Sequence, residues 1–497
     1  MHTRNRLWPD QLVNGYEIEH EPDLRDTGIL RVTLVWMDQI NQPARRLGGA
    51  ALVLGILVFI AGGIAALFWA RGRAMDRPTP AVVVLPFRND SPDSQYFSDG
   101  LTIELIDALS KVEKLRVVSW NSAVPFRGKA RDLHELRDRL QAAAVLDASL
   151  EKQGDRLRIA AQLIDTTSGE KIWSDTYDRP AIAIFQTQEE IAKSIVYTLK
   201  VPLRMDPQRI LVPPRTSSIT AYEDYLRARS FRSQLDIQKS SEYAEKAIAE
   251  DGKYSPAYAL LASNYGLYGS FMPIPASESA SRAKDFARKA IAMDSTSGEA
   301  HAALGAALVI ADWDWKAARL ELERGVQWSP GSPETHAAFA YFDLAPMGQF
   351  DSAEYEARKA LELDPLSFFA NYAAGYVLLA QAKHNEALDR FSTALTQHQG
   401  FAAAHANYGL ALIAAGRKDE GNAELAKSCE LKNCSGPMAQ AWLAAGQSDL
   451  NTAFIALNQA IDQRDPRALF IQSDTRFTSL RNDPRYNGIL KQLRLRE

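Results

Sequence analysis

The stretch AIAMDSTSGEAHAALGAALV, residues 290–309, decides the fold because the chain repeats its pattern at nearly constant spacing. Four other segments align with it, and equivalent anchor residues in successive segments are separated by 43, 35, 35 and 34 positions. Self-similarity with a period of about 20–50 residues is typical of repeat architectures. The anchors are Asp251, Asp294, Ser329, Asp364 and His398.

Small residues occupy three fixed positions around each anchor. They lie eleven positions after it (Ala262, Gly305, Ala340, Gly375, Gly409), four before it (Ala247, Ala290, Gly325, Ala360, Ala394) and eleven before it (Ala283, Ala318, Ala353, Ala387). Two antiparallel helices approach closely only where side chains are small, so these positions predict helix pairs that stack on one another.

This pattern resembles the tetratricopeptide repeat (TPR), most strongly over 285–430. The resemblance implies an all-α superhelix that binds a protein or peptide partner. We predict the array, with a C-terminal cap, over 220–497. The wider first spacing predicts an inserted loop around Met272-Pro273-Ile274-Pro275.

Three histidines, His301, His336 and His405, recur at one repeat position, which suggests metal binding. Tyr258 and Asn371 occupy the same position in other repeats, and zinc needs three or four converging ligands. We therefore predict that this position packs between helices.

Residues 81–200 have a different pattern. Short β-branched runs alternate with segments of helical periodicity, and Gly154-Asp155 is a hairpin signal, so we predict one α/β domain with the order βαβαβββα. Asp99 is predicted to cap the first helix. The segments VLPFRNDSPDSQYFSDGLTIELIDALSKVEKLRVVS, FRGK, VLDASLEKQGDRLRIAAQLIDTTSGEKIWSDTYDR and IFQTQEEIA resemble the TolB-like N-terminal domain, which accompanies a transmembrane helix and TPRs in many bacterial proteins. The closing RNDPRYNGILKQL resembles the end of such proteins.

The run from Gly48 to Ala70 contains no charged side chain and is long enough to cross a bilayer. A buried core helix or a cleaved signal peptide are the alternatives, and we favour an uncleaved anchor. The predicted plan is a tail at 1–47, a transmembrane helix at 48–70, a linker at 71–80, the α/β domain and a Pro-rich linker at 201–219.

Arginine counts barely favour either orientation of this anchor. The family resemblance implies a single-pass protein of the bacterial inner membrane, with a cytoplasmic N terminus and periplasmic C-terminal domains. Small residues on one face of the predicted span favour a weak homodimer through this helix; they are Ala51, Gly55, Gly62 and Ala66.

In the tail, RLWPDQLVN resembles a short part of the CadC-type winged helix, but no basic recognition helix follows. The tail carries six Arg against seven Asp and Glu, whereas DNA readers cluster basic residues. We do not expect this chain to bind DNA. The alternative is a CadC-type transcriptional regulator whose DNA-binding domain is truncated or degenerate in this sequence.

The two cysteines, Cys429 and Cys434, flank the predicted end of a repeat helix. A turn there brings their Cα atoms close enough for a disulfide, which an oxidising compartment would favour. Two unpaired thiols are the alternative.

No motif for catalysis or for phosphate binding is present in the sequence. The three aspartates between Asn89 and Gly100 lack the spacing of a calcium loop, and we interpret this segment as a capped turn. Trp313, Trp315 and Trp328 are interpreted as filling between repeat helices. We expect no catalytic, cofactor-binding or metal-binding residues, no enzyme activity, and a scaffold or sensor that binds a protein or peptide.

Overall fold

The computed structural model describes residues 81–89, 95–112, 115–129, 132–199, 216–267, 274–431 and 436–496. These residues belong to one compact unit that runs from Thr79 to Glu497. The predicted tail, the predicted span with its small-residue face, the linker at 71–80 and residues 201–215 lie outside the described residues.

No helix in the described ranges is long and apolar enough to cross a bilayer. On this finding, the predicted inner-membrane localisation is wrong. The longest of these helices, Ala276–Met293, has 18 residues and buries alanines on one side while it carries charged residues on the other. Its amphipathic pattern suits packing within the array. The predicted homodimer through a membrane helix has no support from the described part of the chain.

The α/β domain contains one five-stranded sheet with the order β2-β1-β3-β4-β5. Strand β1 pairs in parallel with β2 and β3, whereas β3, β4 and β5 form an antiparallel meander. All four residues of β1 are buried, as expected for a central strand with β-branched side chains. The strands are β1 (Ala81–Val84), β2 (Arg116–Val118), β3 (Ala144–Gln153), β4 (Arg156–Asp165) and β5 (Lys171–Pro180).

Four helices accompany this sheet: α1 (Gln95–Ser110), α2 (Trp120–Ala123), α3 (Leu133–Leu140) and α4 (Ile184–Thr198). The short α2, which continues into a 3₁₀ turn at Val124–Phe126, is absent from the predicted order. Asp99 does not cap α1, because the helix begins four residues earlier and Asp99 lies inside it. Its carboxylate instead forms an ion pair with Arg127 at 2.8 Å. Burial raises the pKa of Asp99, while Arg127 acts in the opposite direction.

Fourteen helices among the described residues form seven consecutive pairs. The first helices of the pairs are α5 (Ile219–Ser233), α7 (Ser255–Leu267), α9 (Gly298–Asp312), α11 (Pro333–Phe339), α13 (Phe368–Ala380), α15 (Ala402–Ala414) and α17 (Gly436–Gly446). The second helices are α6 (Ile237–Glu250), α8 (Ala276–Met293), α10 (Trp315–Trp328), α12 (Phe350–Leu363), α14 (His384–Gln397), α16 (Lys418–Glu430) and α18 (Leu450–Asp462). The chain therefore contains a mostly helical TPR-like superhelix that follows a small N-terminal sheet.

The small residues lie where the two helices of a pair touch. A Cβ atom added to Gly305 in α9 would lie 2.5 Å from Cγ of Leu322 in α10. A Cβ atom added to Gly375 in α13 would lie 2.8 Å from the ring of Phe391 in α14. Distances below 3.0 Å cannot be accommodated without movement of the neighbour, so glycine sets the approach of the helices.

The anchor residues end the second helices. Asp251, Asp294, Ser329, Asp364 and His398 each follow the last residue of a second helix, and their backbone amides donate to carbonyls four residues earlier. The predicted register therefore coincides with the turn between one pair and the next.

Residues 463–496 form a compact C-terminal segment with two 3₁₀ turns, Pro466–Phe470 and Thr475–Leu480, and helix α19 (Pro484–Gln492). Phe470 packs on Tyr341 and Tyr376 of the array, with ring centroids 4.6 and 4.5 Å apart. Trp315 donates its indole N–H to the carbonyl of Leu493 at 2.7 Å. The segment thus covers apolar surface of the third, fourth and fifth helix pairs that would otherwise be exposed.

Candidate functional site

The α/β domain packs against the first helices at the beginning of the array. Tyr222 of α5 is buried between Phe97 and Phe185, with ring centroids 6.5 and 4.6 Å away. A Cβ atom added to Gly100 would lie 2.6 Å from Cβ of Leu226. One hydrophobic cluster runs through both parts, so the interface has the character of a domain core.

Polar contacts surround this apolar centre. Arg229 of α5 forms an ion pair with Asp107 of α1 and lies 3.7 Å from Glu299 of α9. Tyr225 donates to Glu104 at 3.1 Å. Burial raises the pKa of the Tyr225 hydroxyl, and the charge of Glu104 raises it further. Buried charges are paired here, as a stable interface requires.

A second group of contacts lies near the middle of the array. Asp364 accepts hydrogen bonds from Nδ2 of Asn121 at 2.9 Å and from Oγ of Ser122 at 3.0 Å. A Cβ atom added to Gly331 would lie 2.2 Å from the carbonyl oxygen of Ser110. The end of α1 and the start of α2 therefore touch the loops between the third, fourth and fifth helix pairs.

Between these two groups of contacts lies a cavity of about 330 Å³, which we call the interdomain cavity. Its walls come from α1 and α2 on one side and from the first helices α5, α7, α9, α11 and α13 on the other. Gln234, Thr296 and Gln397 on its rim are exposed, whereas Asp364 is fully buried. This volume lies within the range of small-ligand sites, about 300–1,000 Å³.

Three helix N-termini line the cavity, and each begins with a serine in the same repeat position. Ser297, Ser332 and Ser367 accept hydrogen bonds from the backbone N–H groups of Ala300, Thr335 and Ala370. Serine caps the exposed donors at a helix start. The helices α9, α11 and α13 are thus held with their first turns at the cavity wall.

Two carboxyl groups of the cavity wall, Glu334 and Asp364, have no ion-pair partner within 4 Å among the described residues. Burial, together with the charge of Asp364, raises the pKa of Glu334 to about 7. Burial also raises the pKa of Asp364, although its hydrogen bonds from Asn121 and Ser122 act in the opposite direction. Arg232, which also lines the cavity, donates to Asn264 and to Ser263.

The recurring histidines form a structural unit rather than converging on one point. In each case Nδ1 faces a glutamate of the paired second helix at 2.5 Å, and Nε2 faces a backbone carbonyl six residues earlier at 2.8–3.0 Å. Tyr258 and Asn371 donate to the equivalent carbonyl, at 3.2 and 2.8 Å. The position therefore ties each first helix to the preceding turn, as the packing interpretation predicts. The glutamates are Glu321, Glu356 and Glu424.

Both ring nitrogens of His301 face oxygen atoms, so this pair is best satisfied when the imidazole carries two protons. For His301, burial lowers the pKa, but the hydrogen bonds with Glu321 and with the carbonyl of Ser295 outweigh it, and the net pKa is raised. The pKa of Glu321 is lowered, since its bonds with His301 and Arg324 outweigh burial.

The other candidate residues are dispersed. Trp313 and Trp315 are buried and Trp328 is half-buried, so no shared aromatic surface forms from the three. No group of three or more His, Cys, Asp or Glu that could hold a metal ion occurs in the ranges the structure describes. Cys429 is disulfide-bonded, and Cys434, the other cysteine of the chain, lies outside those ranges.

The interdomain cavity was not predicted from sequence, because its residues come from segments more than 100 positions apart, such as Ser119 and Glu334. One signal was present: serine recurs at intervals of 35 residues at positions 297, 332 and 367. Such a stripe of polar residues at helix starts marks a shared edge of the array, but it does not reveal what packs there.

No family model matches the chain. A protein of Rhizobium meliloti (strain 1021) named "Putative adenylate cyclase 3" is 35% identical over 165 residues, which are 33% of this chain and 28% of that protein. The chain thus spans less than a third of that relative, whose named activity belongs to the relative alone.

Among solved structures, a thermophilic TPR protein of Thermus thermophilus is similar to 39% of this chain over 99% of its own, with 17% identity and a TM-score of 0.32. TolB from Acinetobacter baumannii is similar to 24% of this chain over 28% of its own, with 17% identity and a TM-score of 0.20. The class that the helix pairs and their spacing define is a TPR-like repeat protein with a small α/β domain. The relation to TolB-like modules and to CadC-type regulators stays a prediction.

Proposed function

We propose that this chain is a non-catalytic scaffold or sensor that binds a protein or peptide through its TPR-like array. The observation that carries the proposal is the interdomain cavity. Polar helix starts from successive repeats line this cavity, its rim residues are exposed to solvent, and the residues at its base are buried. A segment of a partner inserted there would contact several repeats at once, which is how stacked repeats present a binding surface.

The α/β domain has a positioning role in this proposal. It covers one face of α5 and α7 through an apolar interface, so a partner cannot bind to that part of the array. We propose that this domain is TolB-like, on the basis of the predicted segments and the parallel-then-antiparallel sheet. In this role it forms one wall of the binding site and carries no catalytic group.

Site-specific photo-crosslinking in the native host tests the proposal. A photoreactive amino acid at Gln234 or Gln397 on the cavity rim should capture the same partner, whereas one at exposed Arg288 of α8, outside the lining, should not. A chain ending near Pro214 should lose this partner. Equal capture from Arg288, or full capture by the shortened chain, would contradict the proposal.

A further inference from the structure

Strand β5 forms an open edge of the sheet. It has ten residues and lies last in the strand order, so its outer side has no strand partner in the described part of the chain. The opposite edge strand, β2, contacts the array, where Arg116 donates to the backbone carbonyl of Glu362 at 3.4 Å. Long exposed edge strands can pair with another strand, and proteins usually block them. The edge of β5 is therefore a candidate interaction surface that is separate from the interdomain cavity.

Hydrogen bonds show which backbone groups of β5 point to the open side. The N–H of Thr176 donates to Oδ1 of the neighbouring Asp175 at 2.8 Å, and the carbonyl of Asp178 accepts from Nη2 of Arg156 at 3.1 Å. Both bonds use side chains rather than the β4 backbone, and backbone groups alternate in direction along a strand. The even-numbered residues from 174 to 178 therefore present their backbone groups at the edge. The side chains of Asp175 and Arg156 are exposed, so they can move when a strand arrives.

The sequence of this edge is complementary to itself. We propose that β5 pairs with β5 of a second copy of this chain, antiparallel and centred on Tyr177. In a two-fold interface the same residues meet twice, with the two chains exchanging roles. Asp175, two residues before the centre, then faces the partner's Arg179, and Arg179 faces the partner's Asp175.

Charge selects this centre among the neighbouring ones. Asp175, Tyr177 and Arg179 share one face of β5, because side chains alternate along a strand. Pairing centred on Tyr177 gives two contacts between opposite charges, whereas pairing centred on Thr176 gives none. Pairing centred on Asp175 would place two aspartates opposite each other and Lys171 opposite the partner's Arg179. Opposite charges on facing strands stabilise a sheet and like charges destabilise it, so the centre at Tyr177 is preferred.

The groups that would meet retain bonding capacity. Arg179 donates two hydrogen bonds to Glu190 of α4, each of 2.9 Å. A guanidinium group has five donors, so others are available to the partner's Asp175. Burial, together with the charges of Asp175 and Glu190, raises the pKa of Tyr177 to about 12, so its phenol is neutral where the two copies meet.

Two exposed isoleucines follow the same symmetry. Ile172 is 39% exposed and Ile182 is 55% exposed. Ile172 precedes Tyr177 by five positions, and Ile182 follows it by five. In the proposed pair, Ile172 of one copy therefore approaches the partner's Ile182 at each end of the paired strands. Burial of this apolar area would stabilise the pair in addition to the two contacts between opposite charges.

Sedimentation velocity of the full chain over a wide concentration range tests the proposal. The chain should form a dimer whose fraction rises with protein concentration and falls with added salt. Asp175→Arg, an exposed change that places two arginines opposite each other twice, should weaken association at least about tenfold. Asp389→Arg, an exposed charge reversal on α14 of the array, should leave association unchanged.

A mixture of two charge-reversal variants tests the register. Asp175→Arg and Arg179→Asp should each self-associate poorly, because each places like charges opposite one another. In their mixture every contact again joins opposite charges, so a heterodimer should form with nearly native affinity. This rescue requires residue 175 of one copy to face residue 179 of the other. Thermal melts check that each variant folds.

A crosslinking measurement leaves Arg179 and its bonds to Glu190 in place. Pairing centred on Tyr177 sets Thr176 opposite the partner's Asp178, and facing residues of an antiparallel pair lie within the Cα separation that a disulfide needs. Chains with Thr176→Cys and with Asp178→Cys should therefore form a disulfide with each other in preference to themselves.

A full chain that stays monomeric, or a dimer that Asp175→Arg leaves unchanged, would overturn the proposal. So would folded charge-reversal variants that do not associate when mixed, or Thr176→Cys chains that crosslink mainly to themselves. A photoreactive amino acid at Ser174 that captures a different protein instead of a second copy would assign the edge to another partner and would also overturn it. The rim crosslinks of the interdomain cavity do not depend on any of these results.

Discussion

Asn121 in the α/β domain donates a hydrogen bond of 2.9 Å to Asp364, which lies 243 residues later at the end of α12. This bond connects two parts of the chain that have separate sequence patterns. It is one of a set of contacts that makes the sheet domain and the repeat array a single compact unit.

Replacing Asn121 by Ala should lower the free energy of unfolding by about 1–3 kcal/mol, because buried Asp364 loses a donor. Urea denaturation measures this change. Gln238→Ala is a matched control, because the exposed side chain of Gln238 bonds to Glu242 one turn further along α6. It should change stability by less than about 0.5 kcal/mol. Equal effects of the two substitutions would show that the contact with Asp364 contributes nothing.

Gly331→Leu should force the α/β domain away from the array, since even a Cβ atom there would lie 2.2 Å from the carbonyl oxygen of Ser110. We expect a loss of about 1–3 kcal/mol and a larger radius of gyration by small-angle scattering. Gly488→Leu, where a Cβ atom would meet nothing within 4 Å, should leave both quantities unchanged or slightly increase stability. A compact, fully stable Gly331→Leu protein would contradict the described interface.

The pair of His301 and Glu321 should make the array more stable at mildly acidic pH than at alkaline pH. The pKa of His301 is raised in the folded state, so its contribution is present below its unfolded pKa and is lost as the pH rises through its folded pKa. The pKa of Glu321 is lowered, so its contribution is present above its unfolded pKa and is lost as the pH falls through its folded pKa. The pair therefore stabilises the folded array only between the folded-state pKa of Glu321 and the folded-state pKa of His301.

Urea midpoints at pH 5.5 and 8.5 measure this effect by comparing the native chain with His301→Asn. The chain itself shows that asparagine fits this position: Asn371 is the equivalent residue of another repeat, and it donates to the equivalent carbonyl, that of Pro365, without titrating. The variant should retain folding and show a smaller difference between the two midpoints. An identical pH dependence in the native chain and the variant would show that His301 is not the source of the effect.

The disulfide of Cys429 should protect the purified protein from maleimide labelling until a reductant is added. The loop closed by the predicted Cys429–Cys434 disulfide is short, and closing it is worth about 2 kcal/mol in the chain-entropy model. Cys429→Ser should therefore lower the free energy of unfolding by about that amount. Labelling of the untreated protein at two sites would exclude the bond.

Local patterns were sufficient to predict much of the fold. The small residues and anchors predict the helix pairs and their register, and the hairpin signal at Gly154-Asp155 lies between β3 and β4, with Gly154 at a positive φ of 59°. The error at Asp99 has a physical cause: α1 starts within a polar segment whose helical periodicity is weak, so the apolar pattern places the helix start too late.

The site was beyond prediction from sequence for a different reason. Glu334 and Ser119 belong to segments with no shared periodicity, and each looks like an ordinary polar residue near a helix start. Their meeting depends on the docking of one domain on another. A repeat pattern defines the array but does not contain the surface of the α/β domain that packs on it.

The central claim is that a partner binds in the cavity between the α/β domain and the first helices, and hydrogen–deuterium exchange of the full chain tests it most directly. With the partner identified by rim crosslinking present, we predict slower exchange of the amides at 331–336 and 366–371 and also at 119–123, on both walls of the cavity. Protection confined to the second helices, or an exchange pattern unchanged by the bound partner, would contradict the claim.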